Sequence, residues 1–118
     1  MIVYKLFDSR KDGIHSLFID KSKPLPIGKW MDAEFHPTKG FAARFGWHCC
    51  FTPKAPHLNL QLADGRRRVW AKCEVPDGMY KTYDRPESQG GAWILADRIR
   101  ILEVMEGYAG ITKEVWSA

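Results

Sequence analysis

At 118 residues with a net charge of +4, the chain has room for one domain with a genuine core, and its mild positive balance suits acidic partners. Its 45% hydrophobic content includes no apolar run near the ~20 residues a membrane span needs, and no signal-peptide pattern opens it, so a cytoplasmic protein without membrane contact is expected. Three cysteines, two of them adjacent at Cys49 and Cys50, argue against a disulfide framework and fit a reducing compartment.

Five tryptophans and ten glycines favour sheet and turns over a helical bundle. Ile2 to Phe7 predicts a first strand, Asp12-Gly13 a two-residue hairpin turn, and Ile14 to Ile19 the partner strand. Asp20 to Pro26, with two prolines and two lysines, predicts a surface loop. Gly28 to Phe35 fits a strand or a short helical turn, because its periodicity favours neither. His36 to Arg44 is punctuated by Pro37 and Gly40 and predicts a loop.

Gly46 to Phe51, GWHCCF, predicts a buried strand. Alternation places Trp47, Cys49 and Phe51 on one face and His48 and Cys50 on the other. Thr52-Pro53 has the chemistry of a helix start, so a short helix through Leu58 or Leu60 is expected; Pro56 requires it to start late or be a 3₁₀ turn. After a turn at Ala63 to Arg66, the run Arg67 to Val75 alternates most clearly. Val69, Ala71, Cys73 and Val75 share one face, and Arg68, Trp70, Lys72 and Glu74 the other, partly wet one. Residues 76–91 predict a polar loop long enough to be functional. Ala92 to Met105 is a second long apolar stretch in which Leu102 falls out of phase, which predicts a bend or bulge near Asp97 or Leu102. The tail, with Tyr108, Ile111, Val115 and Trp116, predicts a strand or short helix packing back. The expected fold class is α+β, mainly antiparallel β with one or two short helices, in a single compact domain over residues 1–118.

Residues 36–57 concentrate the reactive side chains: His36, His48, His57, Cys49 and Cys50, beside Trp47 and three prolines. Their spacing has no CxxC or HxxxH pair, and strand alternation sends His48 and Cys49 to opposite faces, so no metal and no cofactor is assigned. Cys50 could share a face with His48 and lie near His57, but a free cysteine on a strand is more often a small apolar filler, so the catalytic residues stay unknown. Arg66, Arg67, Arg68, Trp70, Lys72, Arg98 and Arg100 would form a basic aromatic face for nucleic acid, unless Glu74 and Asp97 balance it as a solvated sheet surface. Gly90 and Gly91 in the 84–91 loop permit close backbone approach to a ligand, or simply a turn.

Three blocks, GFAARFGWHCCFTPKAPHL, RRVWAKCEV and RPESQGGAWILADRIRILEV, resemble a small domain of phage and mobile-element proteins with no assigned activity. The resemblance covers most of the chain after Trp30 and implies a phage or prophage origin. The order of elements is also loosely similar to ADP-ribosyltransferase-like folds. That similarity implies correspondence of Tyr4 or Lys5, of His48 to Thr52 and of Gln89 to Trp93 with the nicotinamide pocket. The late strand, however, opens Gly91-Ala92-Trp93 without the family's glutamate, and Glu87 lies upstream in the loop. The leading expectation is a pocket for a nucleotide-like or other anionic ligand, lined by Arg44, Trp47, His48, His57, Arg85, Glu87 and Gln89. The alternative is a non-enzymatic interaction module acting on nucleic acid or on a host protein, for example an inhibitor of host defence.

Overall fold

A computed structural model describes residues 1–17, 23–33 and 46–113. Its organising element is β1 (Ile2–Arg10), which pairs antiparallel with β6 (Arg67–Glu74) from Ile2 opposite Glu74 to Ser9 opposite Arg67. Both strands alternate, so Val3, Phe7, Val69, Ala71 and Cys73 enter one core. On the other edge of β1 stand β2 (Gly13–His15), paired at Asp8 to Arg10, and β4 (Trp47–Cys50), paired at Tyr4. The sheet continues through β3 (Trp30–Asp32), β7 (Tyr80–Tyr83), β8 (Trp93–Ala96) and β9 (Arg98–Val104). The order is β3-β9-β6-β1-β4-β8-β7, with β2 beside β1.

Only Asp97 separates β8 from β9, yet the two strands lie toward opposite ends of that order. The chain therefore turns a corner there and the sheet curls over its core, as strands that switch sheets do. Ala33 N donates to the Asp97 carbonyl at 2.8 Å, and Trp47 Nε1 to the Met31 carbonyl at 3.2 Å, so the two ends of the sheet approach each other. Cys49, Ile94, Ala96, Ile99 and Ile101 complete the inner core.

On the outer face Leu6 and Trp70 form a second cluster with Ala55. It is covered by β5 (Lys54–Ala55) and β10 (Ile111–Thr112), a parallel pair outside the main sheet. Trp70 is fully buried and its Nε1 donates to the Ala109 carbonyl at 3.0 Å. Gly110 lies so close, at φ 60, that a Cβ would stand 2.5 Å from the Pro53 carbonyl oxygen and 2.8 Å from Trp70 Nε1.

These observations correct the expected fold class: the domain is nearly all antiparallel β, and none of the described elements is an α-helix. The helix expected after Thr52-Pro53 is β5 followed by turns. Thr52 and Ala55 each precede a proline, which disfavours helical backbone, and Pro56 has no N–H to give a second turn. The polar loop expected over 76–91 contains β7, which pairs from Tyr80 opposite Ala96 to Tyr83 opposite Trp93. Its β-forming tyrosines and threonine are masked in sequence by polar neighbours on both sides. A 3₁₀ turn, Glu87–Gln89, is the only other element between β7 and β8.

The first hairpin turns at Lys11-Asp12, one residue earlier than expected, because Arg10 pairs with Gly13. That register brings the Asp12 carboxylate to 2.7 Å from Nε2 of the buried His15. Both proposed irregularities of the last long stretch exist. Asp97 breaks β8 from β9, and the β6–β9 register passes from Lys72–Glu103 to Cys73–Ile101, leaving Leu102 as a bulge. Phe51 lies past the end of β4 and is 42% exposed, not on the inner face with Cys49. Of the expected strand or turn over 28–35, Trp30–Asp32 is a strand; residues 34–45, including His36 and Arg44, lie outside the described residues, as do Val115 and Trp116.

Candidate anion site at the junction of two loops

The outer face of β4, β8 and β7 carries a row in which Cys50 stands opposite Trp93, and Trp93 opposite Tyr83. His48 stacks on Trp93 with centroids 4.6 Å apart and planes 16° from parallel, and Tyr83 stacks on it at 5.1 Å. Trp93 is 8% exposed, so its ring is consumed by the sheet. The aromatic row is a wall; it presents no free ring for a ligand at Trp93.

The 84–91 loop folds against this wall and around Arg85. Arg85 Nε donates to the Gly91 carbonyl at 2.8 Å, and its Nη2 to Cys50 Sγ at 3.6 Å. Gly90 ends the 3₁₀ turn in left-handed conformation, and a Cβ there would meet the Lys54 carbonyl oxygen at 2.6 Å. The glycine thus seats the loop directly on the 52–57 segment. Lys54 Nζ and Glu87 Oε2, 2.7 Å apart, tie the two segments at the surface, and that bond holds the Glu87 carboxyl below its ordinary range.

Arg85 is half-buried, and its hydrogen bonds go to a carbonyl and a thiol, both neutral acceptors. Among the described residues no carboxylate lies within ion-pair distance of its guanidinium. His57 responds to this charge: its pKa is lowered first by partial burial, then by the Arg85 and Arg68 cations. Arg68 itself donates to the Asn59 carbonyl at 3.3 Å and approaches Asp8 at 4.0 Å. The junction therefore places the Arg85 guanidinium and the His57 imidazole at one short segment, with Arg68 and its partner Asp8 beyond them, so the local positive charge comes chiefly from Arg85.

The thiols divide sharply. Cys49 and Cys73 face the core, where burial pushes each up to about 12, so neither supplies a thiolate near neutral pH. Cys50 is half-buried on the outer face beside Arg85. Among the described residues no three of His, Cys, Asp and Glu converge as a metal site would require.

Of the residues expected to line a pocket, His57, Arg85 and Glu87 are brought to this junction, while Gln89 is exposed on the same loop. Trp47 is not with them: it packs on the inner core, as its place in the β4 alternation dictates. His48 reaches the edge of the site through Trp93. Lys54 and Arg68 belong to the junction, and no sequence signal marked Lys54, a lone lysine between two prolines.

The basic aromatic face divides. Trp70 is buried and cannot stack on a base. Arg98 pairs with Asp32 at 2.9 Å and Arg100 with Glu74, both over the ring of Trp30. Arg66 pairs with Asp64 at 2.7 Å, and Lys72 stands opposite Glu103. Arg67 is exposed at the start of β6. Compared with known proteins, the chain matches no family model, no curated protein and no solved structure.

Proposed function

We propose that this chain is a small binding domain for an anionic, phosphate-bearing ligand of nucleotide type, held where the 84–91 loop meets the 52–57 segment. The observation that carries this reading is the Arg85 guanidinium, half-buried and hydrogen-bonded to a carbonyl and a thiol, with no carboxylate within ion-pair distance among the described residues. A planar guanidinium with donors left over matches phosphate oxygens, and its partial burial strengthens the attraction over that of a fully solvated charge. His57 adds a second donor that gains a proton as an anion approaches. The loop that carries Arg85 is held in place by the Lys54–Glu87 pair and by Gly90, so the guanidinium is positioned before a ligand arrives. The reading assigns no catalytic residue. The sequence blocks that resemble phage and mobile-element proteins support a role in the cytoplasm of a host cell, and no described helix is long and apolar enough to cross a membrane.

Calorimetric titration with inorganic pyrophosphate and with a nucleoside monophosphate at low salt tests it. A charge-assisted bond contributes about 1.5–3 kcal/mol, so Arg85→Gln is expected to weaken binding by roughly 10- to 100-fold. The absence of binding in the unmodified chain, or equal binding by Arg85→Gln, would overturn the reading.

A further inference from the structure

We infer that the phosphate-bearing ligand is a single strand of nucleic acid, whose course continues from the Arg85 junction into a cleft beside Arg67 and Tyr108. The inference rests on the anion site just proposed and names its ligand class. The cleft, about 200 Å³, opens where the end of β1, the start of β6 and the 106–109 segment meet, and Ser9, Arg67, Arg68, Glu106 and Tyr108 are among its walls. It is smaller than the roughly 300–1,000 Å³ of pockets that enclose a whole small ligand, so it fits one part of a longer molecule.

Arg68 joins the two places. It borders the cleft, and it is bonded to the 57–61 segment, its side chain donating to the Asn59 carbonyl at 3.3 Å and its backbone N to the Leu60 carbonyl at 2.7 Å. Arg85, His57 and Arg67 thus lie along the 57–61 segment instead of in one pocket, with Arg68, itself engaged by Asn59 and Asp8, between them. Arg67 is exposed, with no carboxylate within ion-pair distance among the described residues. Such a run suits successive phosphates of a backbone better than the single group of a mononucleotide.

Tyr108 supplies what Trp70 and Trp93 do not. Trp70 and Trp93 are buried, whereas Tyr108 is 50% exposed on the wall of the cleft. An exposed ring beside a cationic track is the arrangement on which unpaired bases stack, and a base must leave a duplex to use it. Glu106, beside Tyr108, repels phosphate but accepts a hydrogen bond from the exocyclic amine of a stacked base.

Fluorescence anisotropy on the full chain tests this with labelled adenosine monophosphate, a twelve-residue oligodeoxyadenylate and a duplex of the same length. The oligomer is expected to bind at least about ten-fold more tightly than the monophosphate, and more tightly than the duplex. Arg67→Gln and Tyr108→Ala, both at exposed positions, should each weaken the oligomer about five-fold more than the monophosphate. Arg67→Gln should also make the salt slope shallower by roughly 0.7. An oligomer no tighter than the monophosphate, a duplex equal to or tighter than the single strand, or variants without selective effect would overturn this inference and leave the Arg85 site standing. Absence of binding by every probe would overturn both.

Discussion

At Arg85 the hydrogen bonds of a guanidinium are met by a carbonyl and a thiol, and neither removes its charge. The His57 imidazole registers that charge together with Arg68, after the partial burial that acts on it first. Its pKa in the folded chain lies below 6.5, so the fold favours the neutral ring. Stability is accordingly full above about pH 6.5 and declines as pH falls from there toward the folded value, because the unfolded chain takes the proton first. A histidine NMR titration is expected to place His57 below 6.5, and Arg85→Gln to move it back upward. An unchanged midpoint in that variant would contradict the proximity on which the site depends. The thiols give a second check at this scale. Cys49 and Cys73 are buried and pushed up to about 12, whereas Cys50 reaches the surface. A thiol reagent is expected to modify one cysteine of the folded chain rapidly, and Cys50→Ser to remove that phase; labelling of two or more at equal rates would contradict the packing.

Between residues and fold stand the two covering segments, whose parallel pair β5–β10 closes over Trp70. Gly110 is the point of closest approach, with the Pro53 carbonyl and the indole nitrogen both inside contact distance of any Cβ. Gly110→Ala is expected to cost about 1–3 kcal/mol through overpacking and a strained backbone, read from urea unfolding. A loss under about 0.5 kcal/mol, the size of an ordinary surface change, would contradict the seal. This layer was the least legible in sequence. Strands β4 and β6 could be read because alternation exposes their inward face directly, and β1 because its apolar run serves both the inner core and, through Leu6, the outer cluster. Lys54–Ala55 pairs with residues 57 positions later in the chain, Ile111 opposite Lys54, and two-residue strands have no period to detect. The Thr52-Pro53 capping signal competed there with Pro56, and the proline prevailed. Alternation likewise placed Trp70 on the outer face but could not show that 105–113 covers it. The same limit shaped the site. The 84–91 loop stood out by its polar and glycine chemistry, but its seat on the 52–57 segment could not be read from that chemistry; Trp47 belongs to the core by the strand pattern itself, and Lys54 enters through Glu87.

For the whole molecule, the corner at Asp97 sets the architecture: it sends β8 and β9 to different parts of one curled sheet and draws β3 toward β4. The longest pairing joins β1 to β6, some sixty residues apart in sequence, so most stabilising contacts are non-local. Folding is expected on the millisecond-to-second scale typical of such topologies, and far-UV circular dichroism should lack the helical pattern. A microsecond relaxation or a strong helical spectrum would contradict the curled antiparallel sheet. That sheet is the base from which β4, β7 and β8 hold the two loops together, and the loops in turn hold Arg85 half-buried, with no carboxylate within ion-pair distance among the described residues. The most direct measurement is a ¹⁵N NMR titration of the chain with inorganic pyrophosphate at low salt, in the unmodified protein and in Arg85→Gln. Saturable shifts centred on Arg85 Nε, Gly90, Gly91 and His57, lost in the variant, are the expected result; shifts scattered over exposed lysines, or identical in the two proteins, would contradict an anion site at this junction.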